Sequence, residues 1–302
     1  MDSSTTFRNL KIVNSGDPGQ GAHEAGLAIR SSFFAPVFDG LEITGSPGPG
    51  ISATSGGAMQ GSNWFLHNNS EDGLYIDSST VIVDGLHLTD NGQSGAHVFD
   101  SRYVTLTNLT AVGNGNLGLS DVEQAGLLFE KSNDIETNSG DVTCNYCTVS
   151  NSAGIGVMVK DSVDLWLNHL IVEDNSPAYD PISIDNSGLN IGQQGGQVNL
   201  HNVIVDTERL GTDSGPALRI NRAAAKIDLI SLQGNHTGII WNGNNNGNFP
   251  SSLSRAQLSG STCLLLTEHE SMTGIDNVIT PECTGTISLQ DSNVNWSGLT
   301  DL

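Results

Sequence analysis

The chain has 302 residues, with 33 Asp and Glu against 11 Lys and Arg and a formal net charge of −22. So acidic a surface repels phosphate backbones and anionic lipid, so neither nucleic acid nor a membrane surface is an expected partner. No apolar run approaches the ~20 residues of a spanning helix, so no membrane insertion is expected. Met1-Asp2-Ser3-Ser4 has neither the basic nor the apolar region of a leader. The sequence enters repeat-like segments almost at once, as expected of one domain, residues 1–302, excised from or forming part of a larger surface protein.

Helix signals are nearly absent, and short β-branched runs alternate with Gly, Asn, Ser and Thr, the pattern of short strands joined by tight turns. One unit recurs as FRNLKIVNSG (7–16), FDGLEITGS (38–46), VDGLHLTDNG (83–92), LTNLTAVGNG (106–115), NYCTVSNSAG (145–154), LNHLIVEDNS (167–176) and LHNVIVDTER (200–209). A second, shorter unit recurs as GLAIRSS (26–32), GISATSG (50–56), GLYIDSS (73–79), GAHVFDS (95–101), GLLFEKS (126–132), GVMVKDS (156–162), PISIDNS (181–187), PALRINR (216–222) and GIIWNGN (238–244). Apolar residues alternate with period 2, so each unit is a strand with one buried face.

The second unit returns every 22 to 35 residues. A repeat of that length built of strands and turns predicts a β-solenoid. A β-sandwich, the alternative for many short strands, lacks the two-part unit. The expected architecture is therefore all-β: a single solenoid of about ten or eleven coils, about 50 Å long at a coil spacing of ~4.8 Å. Asn14, Asn91, Asn114, Asn151 and Asn175 are expected at equivalent turns, where their amides form ladders between coils. After Gly243 the run GNNNGNFPSS breaks the register.

On these repeats the chain resembles the right-handed parallel β-helix of the pectin-lyase-like superfamily, over residues 5–290. The resemblance implies the fold; its members include lyases, hydrolases, epimerases, tailspikes and adhesins, so it implies no single activity. DLWLNHL at 164–170 is similar to a pectate-lyase segment carrying a calcium-binding Asp, but Asn168 occupies that position. Arg219 and Arg222 have the spacing of that family's later arginine pair without its proline, and the polygalacturonase pattern is absent. No catalytic residue is carried over. Trp166 and His169 are read as a packing aromatic and a turn histidine; Trp64, Trp166 and Trp241 are all expected to face the core.

Alternation in the second unit sends Tyr75 and Asp77, His97 and Phe99, Leu128 and Glu130, Met158 and Lys160, Ser183 and Asp185, and Arg219 and Asn221 outward. Glu130, Lys160, Asp185 and Arg219 make a mixed-charge line and are the catalytic candidates. Glu130 and Asp185 lie two coils apart, about 9.6 Å, near the upper limit of the ~6.5–9.5 Å used by inverting glycosidases. Lys160 between them has the chemistry of an elimination base. The structural alternative is a ladder of ion pairs. Long connections at 114–125, 173–180 and 206–215 are expected to wall this face. Tyr75, His97, Phe99 and Tyr179 are the substrate-binding candidates, because sugars stack on exposed rings beside planar hydrogen-bonding groups. Asp174, Asp180, Asp206 and Asp213 are a candidate calcium set. Cys263 and Cys283 are expected to bridge adjacent coils in an oxidising exterior. Cys144 and Cys147 form either a local disulfide or two buried thiols.

Two functional classes stay open. One is an extracellular or cell-surface module, a rigid rod that binds a polysaccharide or cell-surface glycan or acts as an adhesive element beside flanking domains or oligomer partners. The other is a polysaccharide lyase or glycoside hydrolase working in a groove on the outer face of the second-unit strands. The missing catalytic motif favours the module.

Overall fold

The computed structural model describes the chain apart from residues 1–4, 17–23, 32–34, 102, 116–123, 131–141, 162–163, 177–178, 186–195, 207–215, 234–236, 244–250, 261, 268–271, 284–287, 291–293 and 301–302, and apart from the side chains of 259, 260, 262 and 266 onward. Every second-unit segment is a short strand: β2 Leu27–Arg30, β4 Ile51–Thr54, β6 Leu74–Asp77, β8 Ala96–Phe99, β10 Leu127–Glu130, β12 Val157–Lys160, β14 Ile182–Asp185, β16 Leu218–Asn221, β18 Thr237–Asn242, β20 Thr262–Thr267 and β22 Ser288–Gln290. The first-unit segments are longer strands: β1 Thr6–Val13, β3 Val37–Thr44, β5 Ala58–His67, β7 Thr80–Thr89, β9 Val104–Val112, β11 Val142–Ser150, β13 Leu165–Glu173, β15 Gln197–Asp206, β17 Ala224–Gln233, β19 Ser251–Gly260, β21 Met272–Cys283 and β23 Val294–Thr300. The even strands form one parallel sheet of 11 and the odd strands another of 12. Among the described residues the chain thus winds eleven times and ends on a further odd strand. The winding runs through the break at Gly243, with register shifts where β19 pairs β21.

Each odd strand from β1 to β19 changes phase at one residue of positive φ: Asn9, Gly40, Asn63, Gly85, Asn108, Tyr146, His169, Asn202, Leu229 and Arg255. That residue and the one before it both face outward, so the inward positions run Leu165, Leu167, then Leu170, Val172 in β13. The strand turns there, and the two sheets present three outer faces. Inside, side chains stack in register: Leu41 on Trp64, Trp64 on Leu86, Leu86 on Leu109, all essentially without exposure. Trp64 satisfies its indole by donating Nε1–H to the Phe38 carbonyl at 2.9 Å. Trp241 is also in the core, but Trp166 is 44% exposed, contrary to expectation. It precedes the phase change of its strand, between inward Leu165 and Leu167, whereas Trp64 follows the change of its own.

A buried polar column lines one inner corner. The Asn69 side chain donates to Asn91 Oδ1 and the Asn91 side chain to Asn114 Oδ1, at 2.9 and 3.0 Å. The Asn91 and Asn114 amides also donate to the Leu66 and Leu88 carbonyls, respectively. Ser46 N–H donates to Asn69 Oδ1 and Ser152 N–H to Asn175 Oδ1. Asn14 and Asn151 are not in this column. They sit one residue earlier, at the positive-φ corner shared with Asn68 and Asp90, because asparagine suits both a left-handed turn and a buried ladder. The ladder also explains the glycine that opens the second unit: a Cβ at Gly95 would lie 2.9 Å from Asn114 Nδ2 and 2.6 Å from the Gly126 carbonyl.

Cys144 and Cys147 form a disulfide that flanks Tyr146, with both sulfurs buried and Cα atoms 6.2 Å apart. This decides between the two alternatives left open by the sequence. Closing so short a loop contributes about 2 kcal/mol through the unfolded chain, so Cys144→Ala with Cys147→Ala is expected to lower stability by about that amount in a denaturant titration. Cys263 is also disulfide-bonded; the side chain of its expected partner, Cys283, lies outside the described residues.

Candidate functional site

The even-strand sheet presents two outward columns, as the alternation predicts. The first runs Tyr75, His97, Leu128, Met158, Ser183, Arg219, and the second Asp77, Phe99, Glu130, Lys160, Asp185, Asn221. Glu130, Lys160 and Asp185 therefore lie side by side in one column. Arg219 stands in the other, which corrects the expected four-residue line: it forms an ion pair with Asp180 at 2.5 Å.

A third, outer column comes from the turn before each even strand. Consecutive positions there are Asp72, Ser94, Ala125 and Ile155, as the backbone hydrogen bonds from the following glycines define. Asp72 is nearly buried and accepts the Ser94 N–H at 2.9 Å. His97, on the next coil, lies between two carboxylates, with Nδ1 3.6 Å from Asp72 and Nε2 3.6 Å from Glu130. Glu130 accepts from Lys160 Nζ at 2.7 Å. The result is an alternating chain of charge, Asp72, His97, Glu130, Lys160, across three strands and the preceding turn. Between it and the Asp180–Arg219 pair lies an apolar floor of Ala125, Leu128, Ile155 and Met158, against which Tyr179 packs.

Protonation states follow from this geometry. Burial works against charge on His97, but Asp72 and Glu130 more than reverse it and raise the imidazole to about 9. His97, with help from Lys160 against the cost of burial, lowers the Glu130 carboxyl to about 2. Glu130 raises Lys160 further above its ordinary value, with smaller contributions from Asp161 and Asp185. Burial, reinforced by Asp77, Asp72 and Glu130, pushes the Tyr75 phenol up to about 12. At neutral pH Glu130 holds no proton to give as a general acid, and neither Lys160 nor His97 has a lone pair to act as base. His97, Glu130 and Lys160 are each held in the charged form.

The aromatic candidates partly converge. Tyr75 meets His97 edge to face with centroids 5.2 Å apart, and His97 meets Phe99 likewise at 6.3 Å. Tyr179 lies beyond them, on the apolar floor. The family model for the right-handed β-helix region matches residues 25–205. The chain belongs to that family. No curated protein and no solved structure matches the chain. Within this β-helix the matched segment contains the whole Asp72-to-Lys160 chain, and Arg219 falls outside it.

Among the described residues the acidic set considered for calcium does not come together. Asp180 is engaged by Arg219, Asp174 sits at a positive-φ corner, Asp206 registers with Glu173, and Asp213 lies outside the described residues. Among the described residues, no three His, Cys, Asp or Glu side chains come close enough to hold a metal. The residue that sequence reasoning missed is Asp72. Its column lies in a turn where strand alternation does not reach; the signal was the acidic residue two positions before the strand, repeated at Asp180.

Proposed function

We propose that this β-helix is an extracellular, non-catalytic rod whose even-strand face binds a neutral glycan. The observation that carries the reading is the ring cluster Tyr75, His97 and Phe99 set beside a charge chain whose protonation states are fixed. Rings provide the flat apolar surface that sugar C–H groups stack on, and the fixed charges provide oriented donors and acceptors. The charges of Asp72, His97, Glu130, Lys160, Asp180 and Arg219 cancel in pairs, while the chain as a whole is at −22. A polyanionic sugar meets net repulsion from such a molecule, whereas a neutral one does not. The buried Cys144–Cys147 disulfide supports an oxidising compartment.

Retention on insoluble neutral polysaccharides, with new reducing ends and unsaturated products followed in parallel, tests the reading. Wild type is expected to be retained on at least one of them without releasing product, with or without EDTA. Tyr75→Ala combined with Phe99→Ala is expected to weaken retention about tenfold, or about 1.4 kcal/mol. Product release would replace this reading with the lyase or hydrolase alternative, and calcium-dependent retention would restore the acidic loops as a metal site.

A further inference from the structure

We propose a second glycan-binding surface on a different face, centred on Trp166 and Tyr146 at the phase-change corner of the odd strands. It takes its ligand class from the reading above and shares none of its residues. Across β9, β11 and β13 the outward positions up to and just past the corner carry threonines, asparagines, Tyr146, Trp166, His169 and Ile171, and no Asp, Glu, Lys or Arg. Acidic residues resume at Asp84 beside β9 and, on the other side, at Asp228 beyond β15, whose positions Asn199, His201, Asn202 and Ile204 are likewise free of Asp, Glu, Lys and Arg. In a chain of net charge −22, a four-coil band of hydroxyls, amides and rings is complementary to an uncharged polyhydroxylated ligand rather than to an ionic one.

The rings are presented rather than buried. Trp166 is 44% and Tyr146 57% exposed. Tyr146 stacks on His169 with centroids 4.4 Å apart and 25° between planes. Beside them Asn168 Nδ2 donates to Asn145 Oδ1 at 2.9 Å, which orients two planar amides next to the indole. Both stacked rings sit at positive φ, +56° at Tyr146 and +57° at His169, where the first five coils have only Asn or Gly. A bulky side chain there costs about 1–2 kcal/mol, a strain that core packing does not explain because both rings point outward. The Cys144–Cys147 disulfide closes the short loop that contains Tyr146 and constrains its corner, the arrangement that lowers the ordering cost of binding.

Two faces on one rod make the molecule bivalent, so losing either weakens retention on a polymer more than its own affinity requires. The test is co-sedimentation with cellulose, amylose, galactomannan and cross-linked dextran. Four proteins are compared: wild type, Trp166→Ala, Tyr75→Ala with Phe99→Ala, and the triple variant. Trp166→Ala is expected to keep the wild-type melting temperature, since its side chain is outside the core, and to lose about tenfold or more of the retention. Tyr146→Asn, which restores the residue type found at Asn108, is expected to weaken retention likewise and, by relaxing the backbone, to raise the melting temperature. Trp166→Ala retained like wild type on all four polymers overturns the proposal, whatever the Tyr75 variant does. A loss confined to Trp166→Ala, with the Tyr75 and Phe99 variant unaffected, supports this surface and removes the even-strand one. Wild type that is retained on none of them overturns both. A dimer in sedimentation velocity that Trp166→Ala converts to monomer, with retention unchanged, assigns the patch to a second copy of the chain and overturns the proposal.

Discussion

Asn91→Ala is expected to cost about 4 kcal/mol. The side chain is fully buried. It accepts from the Asn69 N–H and side-chain amide and donates to both the Leu66 carbonyl and Asn114 Oδ1. Alanine strands the Asn69 amides and the Leu66 carbonyl in an interior without water, and each such group costs about 1–3 kcal/mol. The gap also sits against Gly73, whose Cβ position would be 2.8 Å from Asn91 Nδ2, so neighbouring backbone has no side chain with which to fill it. Because coils of a solenoid stabilise only their neighbours, the loss should be local. Hydrogen exchange is expected to accelerate most on β5, β7 and β9. A uniform change along the rod, or a loss below about 1 kcal/mol, would mean that the ladder contributes little.

His97→Leu is the second large effect, about 3 kcal/mol at pH 7, because it leaves Asp72 and Glu130 facing each other across an apolar side chain. The wild-type pH profile has a definite sign on each side. His97 rises from 6.5 to about 9 in the fold, so its stabilisation is complete below pH 6.5 and is lost as pH climbs through 9. Glu130 falls from 4.5 to about 2, so its stabilisation is complete above pH 4.5 and is lost as pH drops toward 2. Together they give a plateau between pH 4.5 and 6.5. Asp228, held at about 2 mainly by Arg255, adds to the acid limb and is untouched by the substitution. The alkaline limb is therefore diagnostic. In His97→Leu the decline in melting temperature between pH 6.5 and 9 is expected to vanish, and a decline that persists there would place its origin elsewhere.

Much of the architecture was legible because a solenoid repeats its errors as faithfully as its rules. Period-2 alternation fixed the outward side chains of all the even strands from Tyr75 to Asn221, and with them the contact of Glu130 with Lys160. It failed where the period changes. Trp166 reads as inward because nothing local in the sequence distinguishes the residues before His169 from those after it; the left-handed corner is held by Asn or Gly in most coils and by a ring in this one. It failed also in turns, where Asp72 and Asp180 reach forward one coil to His97 and Arg219. Those contacts join residues 25 and 39 positions apart in sequence through a geometry that depends on coil length, and the coils differ in length. Asn14 and Asn151 mimic the ladder one residue early because two adjacent corner positions both favour asparagine.

The parallel pairing of every strand has a mechanical consequence. All the hydrogen bonds between coils point along the rod, so a pull along that axis loads a single junction at a time, whereas a sideways load is shared across the stack. The first coils advance by 22 to 24 residues from β2 to β8. Each coil peeled from an end therefore releases about 70 Å of slack at ~3.3 Å per residue, more than the whole length of the wound rod. Such a molecule is stiff against bending and yields to axial tension as an extensible tether, lengthening in steps while the remaining coils keep their shape.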